Sequence, residues 1–156
     1  MALFLIMTQT NVVHVPYKGG APAAIATMTG ETQLAMSSVG ASIPPIRQGK
    51  LRALAVSGAK RSTALPEVPS VAEAGVAGYE ASSWYGMLLP AKTPPAVVSR
   101  LGDLSTKALT DTQLKERLLA QGIESATGGV EEFESYLRGE IAKWVKVISA
   151  AAIPPQ

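Results

Sequence analysis

Cysteine is absent from this 156-residue chain, and histidine occurs once, at His14. The first absence excludes disulfides, thiolate metal sites and a cysteine nucleophile, and says little about compartment. The second excludes a histidine metal cluster and leaves a serine–histidine–acid triad dependent on one imidazole. No sign of charge dominates: 14 Lys and Arg stand against 12 Asp and Glu, a formal net charge of +2. That excess is dispersed, with no basic run interleaved with aromatics, which argues against a nucleic-acid partner. Long apolar runs are missing too. Met1-Ala2-Leu3-Phe4-Leu5-Ile6-Met7 is far short of the roughly 20 residues that span a bilayer. It has neither a basic segment before it nor a small-residue cleavage site after it, so it is not read as a signal peptide. Neither G-x-S-x-G nor a phosphate-binding P-loop occurs.

Hydrophobic residues make up 47% of the chain, enough to bury a core, and length alone favours one domain. Residues 12–15 are β-branched and read as a strand. Residues 21–28 are rich in helix formers, with Pro22 in the first turn, where a missing N–H costs nothing; Gly30 closes that helix. Residues 32–36 read as a strand, residues 37–41 as a loop into a short helix through Ile46 and Gln48, and Gly49 as its C-cap. Residues 51–57 read as a buried strand. A βαβαβ order of this kind demands parallel strands with right-handed crossovers, hence an α/β lobe.

Beyond Gly58 the composition shifts, with Pro66, Pro69, Gly75 and Gly78 punctuating a connecting segment. Ser70 and Glu73 have capping-box spacing around a short helical turn at residues 70–74. Residues 83–89 form an apolar, aromatic strand candidate ended by prolines. The rest reads as three helices. Val97, Leu101, Leu104, Ala108 and Leu109 share one face of the first. Asp111 caps a second, which Gly122 stops. The third runs over residues 131–150 with an apolar stripe of Phe133, Leu137, Ile141, Trp144, Val145 and Ile148. Its acidic N-terminal turn opposes binding to an anionic membrane, so the stripe is read as core.

The sequence Val12-Val13-His14-Val15-Pro16-Tyr17-Lys18-Gly19-Gly20-Ala21-Pro22-Ala23 carries the strongest functional signal. An apolar strand passes through two glycines into a helix N-terminus. Such a junction leaves backbone N–H groups unpaired at the positive end of a helix dipole, a setting for a carboxylate or phosphate. Tyr17, Lys18, Gly19, Gly20 and Ala21 are the candidate ligand-binding residues of this loop, with their amides the favoured contacts; the Lys18 ammonium either adds charge to the site or points into solvent. Ser37 and Ser38 follow a strand at its C-terminal end, where open parallel sheets bind ligands; an ordinary loop is the alternative. Trp84 and Tyr85 either line a ligand site or are packed, the commoner use of aromatic area. His14 reads as a strand-end residue, and Arg52, Lys60 and Arg61 as solvated surface charge.

The stretches HVPYKGGAPA, GKLRALAVSGAKR and LPEVPSVAEAGVAGYEASSWYGMLLPAKTPPAVVSRL, in this order, closely resemble the tripartite tricarboxylate transporter receptor family, the Bug-type extracytoplasmic solute receptors. The resemblance runs from about Val12 to about Ile153 and corresponds to the C-terminal half of such a receptor. It implies a periplasmic-binding-protein-like (type II) two-lobed α/β fold, present as a C-terminal fragment. Residues 1–80 would be the remainder of the second lobe, carrying the ligand loop. Residues 81–156 would be the hinge strand and C-terminal helices of the first. Residues 1–7 become the tail of a helix. The resemblance further implies that one ligand carboxylate meets the amides of residues 17–21 as the lobes close about hinge strands. The expected function is extracytoplasmic binding of a small carboxylic acid, feeding the membrane components of a tripartite tricarboxylate-type transporter from the periplasm. No reaction, cofactor or metal is implied. The alternatives are a non-binding or self-associating fragment, pairing with its own copies through exposed edges, and a small serine hydrolase using Ser37 or Ser38 with His14.

Overall fold

The computed structural model describes residues 1–151. They pack as two compact units: Met1–Ser83 with Leu118–Glu124, and Trp84–Arg117 with the chain from Ser125 onward.

In the first unit, α1 (Ala2–Thr8) ends where Gln9 turns left-handed at φ 54°. Its Phe4 ring meets the buried Tyr79 ring edge-on at 6.0 Å. Helix α2 (Gly20–Met28) is alanine-rich, buries Ala24 and Ala26, and packs against α3 (Val39–Arg47). Two prolines, Pro44 and Pro45, sit inside α3. Each removes a helical N–H, and both lie in a helix of nine residues that survives through tertiary packing. That packing is the core itself. Ile43 of α3 is buried with Val56, Leu65 and Val68, and Val39, Ile46, Ala53 and Ala64 close around them. Gly49 ends α3 at φ 67°, a left-handed position suited to glycine.

The strands expected at residues 12–15, 32–36, 51–57 and 83–89 do not form among the described residues. Pairing reduces to one isolated parallel bridge, Val56 with Ser70. There the Val56 N–H donates to the Pro69 carbonyl at 2.9 Å, and the Val71 N–H donates to the Val56 carbonyl at 2.9 Å. The reason is that the intrinsic strand preference of a segment spans only about 1 kcal/mol, while a strand is made by its neighbours. These segments have no ladder partner here, and Val13 and Leu54 stand 86% and 66% exposed.

Residues 70–74 make the expected single helical turn, with the Ala74 N–H donating to the Ser70 carbonyl at 2.9 Å, and it is closed by the reciprocal bonds of a capping box. The Ser70 N–H donates to Glu73 Oε2 at 2.8 Å, and the Glu73 N–H donates to Ser70 Oγ at 3.2 Å. Arg61 Nε adds a third bond to Glu73 Oε2, at 2.9 Å.

In the second unit, α4 (Pro95–Thr110) packs on α6 (Val130–Ala150). Asp111 Oδ1 accepts the Leu114 N–H at 2.9 Å, capping α5 (Thr112–Ala120) as its sequence position foretells. The apolar stripe of α6 divides. Phe133, Leu137 and Trp144 are half-buried alongside the buried Val147 and Glu140, whereas Ile141, Val145 and Ile148 are exposed. The second set lies one step round the helix from the packed seam.

Candidate functional site

Three sequence features meet at the start of α2. Gly19, with φ 106°, is its N-cap, and Gly20 and Ala21 supply first-turn amides that have no preceding carbonyl to receive them. Pro22 contributes no N–H. The Gly19 amide is not among the free donors, because it donates to the Tyr17 carbonyl at 2.9 Å and closes a tight turn. The candidate donors of this loop therefore narrow to Gly20, Ala21 and the exposed Lys18.

Ser37 and Ser38 come to the same place. Ser37 Oγ donates to the Gly20 carbonyl at 3.1 Å, across 17 positions of sequence. A Cβ placed on Gly20 would lie 2.6 Å from Ser37 Oγ, 3.1 Å from Ser38 Oγ and 3.2 Å from Ala41 Cβ. Ser38 is the N-cap of α3, and its hydroxyl makes no capping bond to that helix. The positive ends of two helix dipoles thus converge on a patch lined by Gly20, Ala21 and Ser38. Ser38, not the expected loop through residue 41, marks the start of α3, since residues 39–41 are already helical.

The turn after α5 packs against the first turn of α3. Gln121 presses its carbonyl against Gly40 so closely that any Cβ on Gly40 would overlap it, and a Cβ on Gly122 would come within 2.6 Å of the Gly40 nitrogen. Glu124 holds the turn in place: its Oε1 accepts the Thr63 N–H at 2.7 Å, the Thr63 hydroxyl at 3.0 Å and the Ser62 hydroxyl at 3.1 Å. Those bonds, led by the Thr63 amide, outweigh partial burial and lower the Glu124 carboxyl below its ordinary range.

Tyr17 makes a side-chain contact at the surface. The phenol donates to Glu31 Oε1 at 2.9 Å. Its pKa is raised, first by desolvation and then by the bond to Glu31 and the charge of that carboxylate. Glu31, Gln121 and Glu124 carried no signal in the sequence. Their roles depend on where α2 and α5 end in space, which no local spacing encodes.

Trp84 belongs to the second unit. Its indole packs edge-on against Phe133 at 5.7 Å and Tyr136 at 6.0 Å. Beside it, buried Glu140 accepts from Trp144 Nε1 at 2.9 Å and pairs with Lys143. Burial pushes the Glu140 carboxyl up, but Lys143, Trp144 and Trp84 together pull it below its ordinary value. The surroundings of Trp84 are thus those of a packed aromatic cluster on α6. Among the described residues no group of His, Asp and Glu is arranged to hold a metal, and no helix is long and apolar enough to cross a membrane.

Comparison with known proteins places this geometry in a family. The "UPF0065 protein in tcbD-tcbE intergenic region" of Pseudomonas sp. (strain P51) is 34% identical over 148 residues, covering 94% of this chain and 44% of the relative. The solved structure of R. palustris Rpa4515 with adipate superposes with a TM-score of 0.85 at 35% identity, over 99% of this chain and 52% of that one. The periplasmic binding protein BugD gives a TM-score of 0.76 at 27% identity, over 99% and 52%. The fold is periplasmic-binding-protein-like, and the chain spans about half the length of the proteins it matches. The sequence model of the tripartite tricarboxylate transporter family receptor matches residues 1–153, and this chain belongs to that family.

Proposed function

We propose that this chain carries one side of an extracytoplasmic binding site for a small carboxylic acid, and that the receptor it belongs to feeds the membrane components of a tripartite tricarboxylate-type transporter. The observation that carries the reading is the meeting of two helix N-termini at Gly20, Ser37 and Ser38, fixed by the 3.1 Å bond from Ser37 Oγ to the Gly20 carbonyl. Amides of Gly20 and Ala21, with the Ser38 hydroxyl, would receive one carboxylate. The adipate in the related Rpa4515 structure supports that ligand class. Residues 1–80 then serve as the remainder of the ligand-loop lobe, and residues 81–156 as the hinge segment and terminal helices of the other. The work is binding rather than catalysis, and its place is the periplasm. A serine hydrolase reading is weakened by Ser37, whose hydroxyl is committed to a backbone carbonyl instead of to His14.

The test is a thermal-shift and calorimetric screen of adipate, shorter dicarboxylates, citrate and, as a control of opposite charge, 1,6-diaminohexane. Saturable stabilisation by a carboxylate, lost in Gly20→Val and reduced in Ser38→Ala, is the expected result. Equal responses to the diamine and the diacids, or carboxylate binding indifferent to both substitutions, would refute the site. A second reading has one observation in its favour: large apolar side chains on the unpaired segments, Tyr85, Met87 and Leu88 among them, are exposed. On that reading the isolated chain forms homo-oligomers through these edges.

A further inference from the structure

The ligand loop is held at both ends of α2. At the helix start, Gly19 closes onto the Tyr17 carbonyl and Ser37 holds the Gly20 carbonyl. At the other end the chain makes a stiff exit. Gly30 takes φ 78°, its N–H donates to the Thr27 carbonyl at 3.2 Å, and the Thr32 N–H donates to the Ala26 carbonyl at 3.2 Å. The Thr27 and Thr32 hydroxyls join at 3.0 Å, and the Thr29 hydroxyl bonds the Ile25 carbonyl at 3.1 Å. Glu31 sits inside this knot, between Gly30 and Thr32. Its backbone is held there, and Tyr17 reaches along nine helical residues to bond its carboxylate at 2.9 Å.

We infer that Glu31 and Tyr17 form a clamp that sets the position of residues 16–19 for ligand binding, Glu31 acting as a positioning residue through the Tyr17 hydroxyl; this rests on the carboxylate-site reading above. The argument is one of freedom removed. Two glycines follow Lys18, and glycine loses more conformational freedom on ordering than any other residue. A loop so built holds its amides in register only if something outside the glycines anchors it. Within the loop itself the Tyr17 side chain is the anchoring group, and its bond is to a carboxylate, stronger than one to a neutral acceptor. The clamp also orients the Tyr17 carbonyl that receives the Gly19 N–H, so loss of the phenol hydroxyl is felt in the backbone.

The test uses the whole chain, with adipate as the probe and amide exchange followed by NMR. Tyr17→Phe and Glu31→Ala are each expected to weaken adipate binding about fivefold, the size of one lost hydrogen bond. The double variant should be no weaker than either single one, and Glu31→Gln, which keeps an acceptor, should restore most of the affinity. In both single variants the Gly19 amide should exchange faster, while the buried Ala24 and Ala26 amides of α2 stay as protected as before. Unchanged Gly19 exchange together with unchanged affinity overturns the clamp, and so do additive effects in the double variant. If the unsubstituted chain binds neither adipate nor any other carboxylate of that screen, the receptor reading loses its support. The clamp is then judged by Gly19 exchange alone: faster exchange upholds it, and unchanged exchange rejects it.

Discussion

Two glycines that look alike in sequence are under different constraints. At Gly20 an added methyl would meet the Ser37 hydroxyl at 2.6 Å, and a hydroxyl rotates away at the expense of its bond to the Gly20 carbonyl. Gly20→Ala should therefore lower stability by about 1 kcal/mol, one hydrogen bond. At Gly40 the obstacle is the Gln121 backbone, which cannot rotate away. Gly40→Ala should cost about 1–3 kcal/mol through forced backbone movement, and urea unfolding of the two variants side by side checks the order. Glu140 gives a third case. It is 6% exposed and bonded to Trp144 and Lys143. Removing one partner of such a buried arrangement costs about 3 kcal/mol, so Glu140→Ala should unfold at markedly lower urea. Because its folded pKa is depressed, its contribution is fully present above the unfolded glutamate value of about 4.3 and is lost as pH falls through the folded value. The gap between wild type and Glu140→Gln should thus close on acidification; a gap that widens would show that the sign is wrong. None of this was legible beforehand. Sequence marks Glu140 as one more charge on a helix, and only the approach of Trp84 and Trp144 reveals its burial.

Helices were readable at the level of elements because their signals are local. Pro22 and Gly30 bracket α2, Asp111 caps α5, and the Ser70–Glu73 spacing foretold the bonds that close that turn. Ser70 is 1% exposed, so Ser70→Ala should cost about 1 kcal/mol, the usual worth of a cap, with the loss visible as a lower melting temperature. An unchanged melting temperature would mean that Arg61 and the Ser70 amide hold Glu73 without the hydroxyl. Strands failed for the converse reason: residues 12–15 and 51–57 carry the right composition, but pairing is non-local. The prolines of α3 show the same limit from the other side, since the expected helix persists through Pro44 and Pro45 on the strength of Ile43 in the core. Of the candidate site, the glycine loop and the two serines were legible from their place in the chain. Their meeting at Gly20 depends on how α2 packs on α3, which spacing does not encode.

For the whole molecule, the balance of exposed apolar surface decides behaviour. Residues 83–89 form no helix and no paired strand, and Tyr85, Met87 and Leu88 are 79%, 61% and 69% exposed. A segment without ladder partners that carries apolar side chains can take up a strand pairing with another chain. On α6, Ile141 and Val145 are also exposed, but a helix satisfies its own backbone bonds and offers side-chain contact alone. A second copy pairing through residues 83–89 gains both, with each leucine-sized side chain removed from water contributing about 1.5–3 kcal/mol. Association through the segment should therefore outweigh association through α6. Sedimentation velocity over a concentration series is expected to show larger species at higher concentration. The double substitution Met87→Lys with Leu88→Lys, which places charge on the edge, should abolish them, and Ile141→Lys with Val145→Lys should leave most of them. A concentration-independent monomer would sink the self-association reading, and the reverse ranking of the two double variants would move the contact from the backbone edge to the terminal helix.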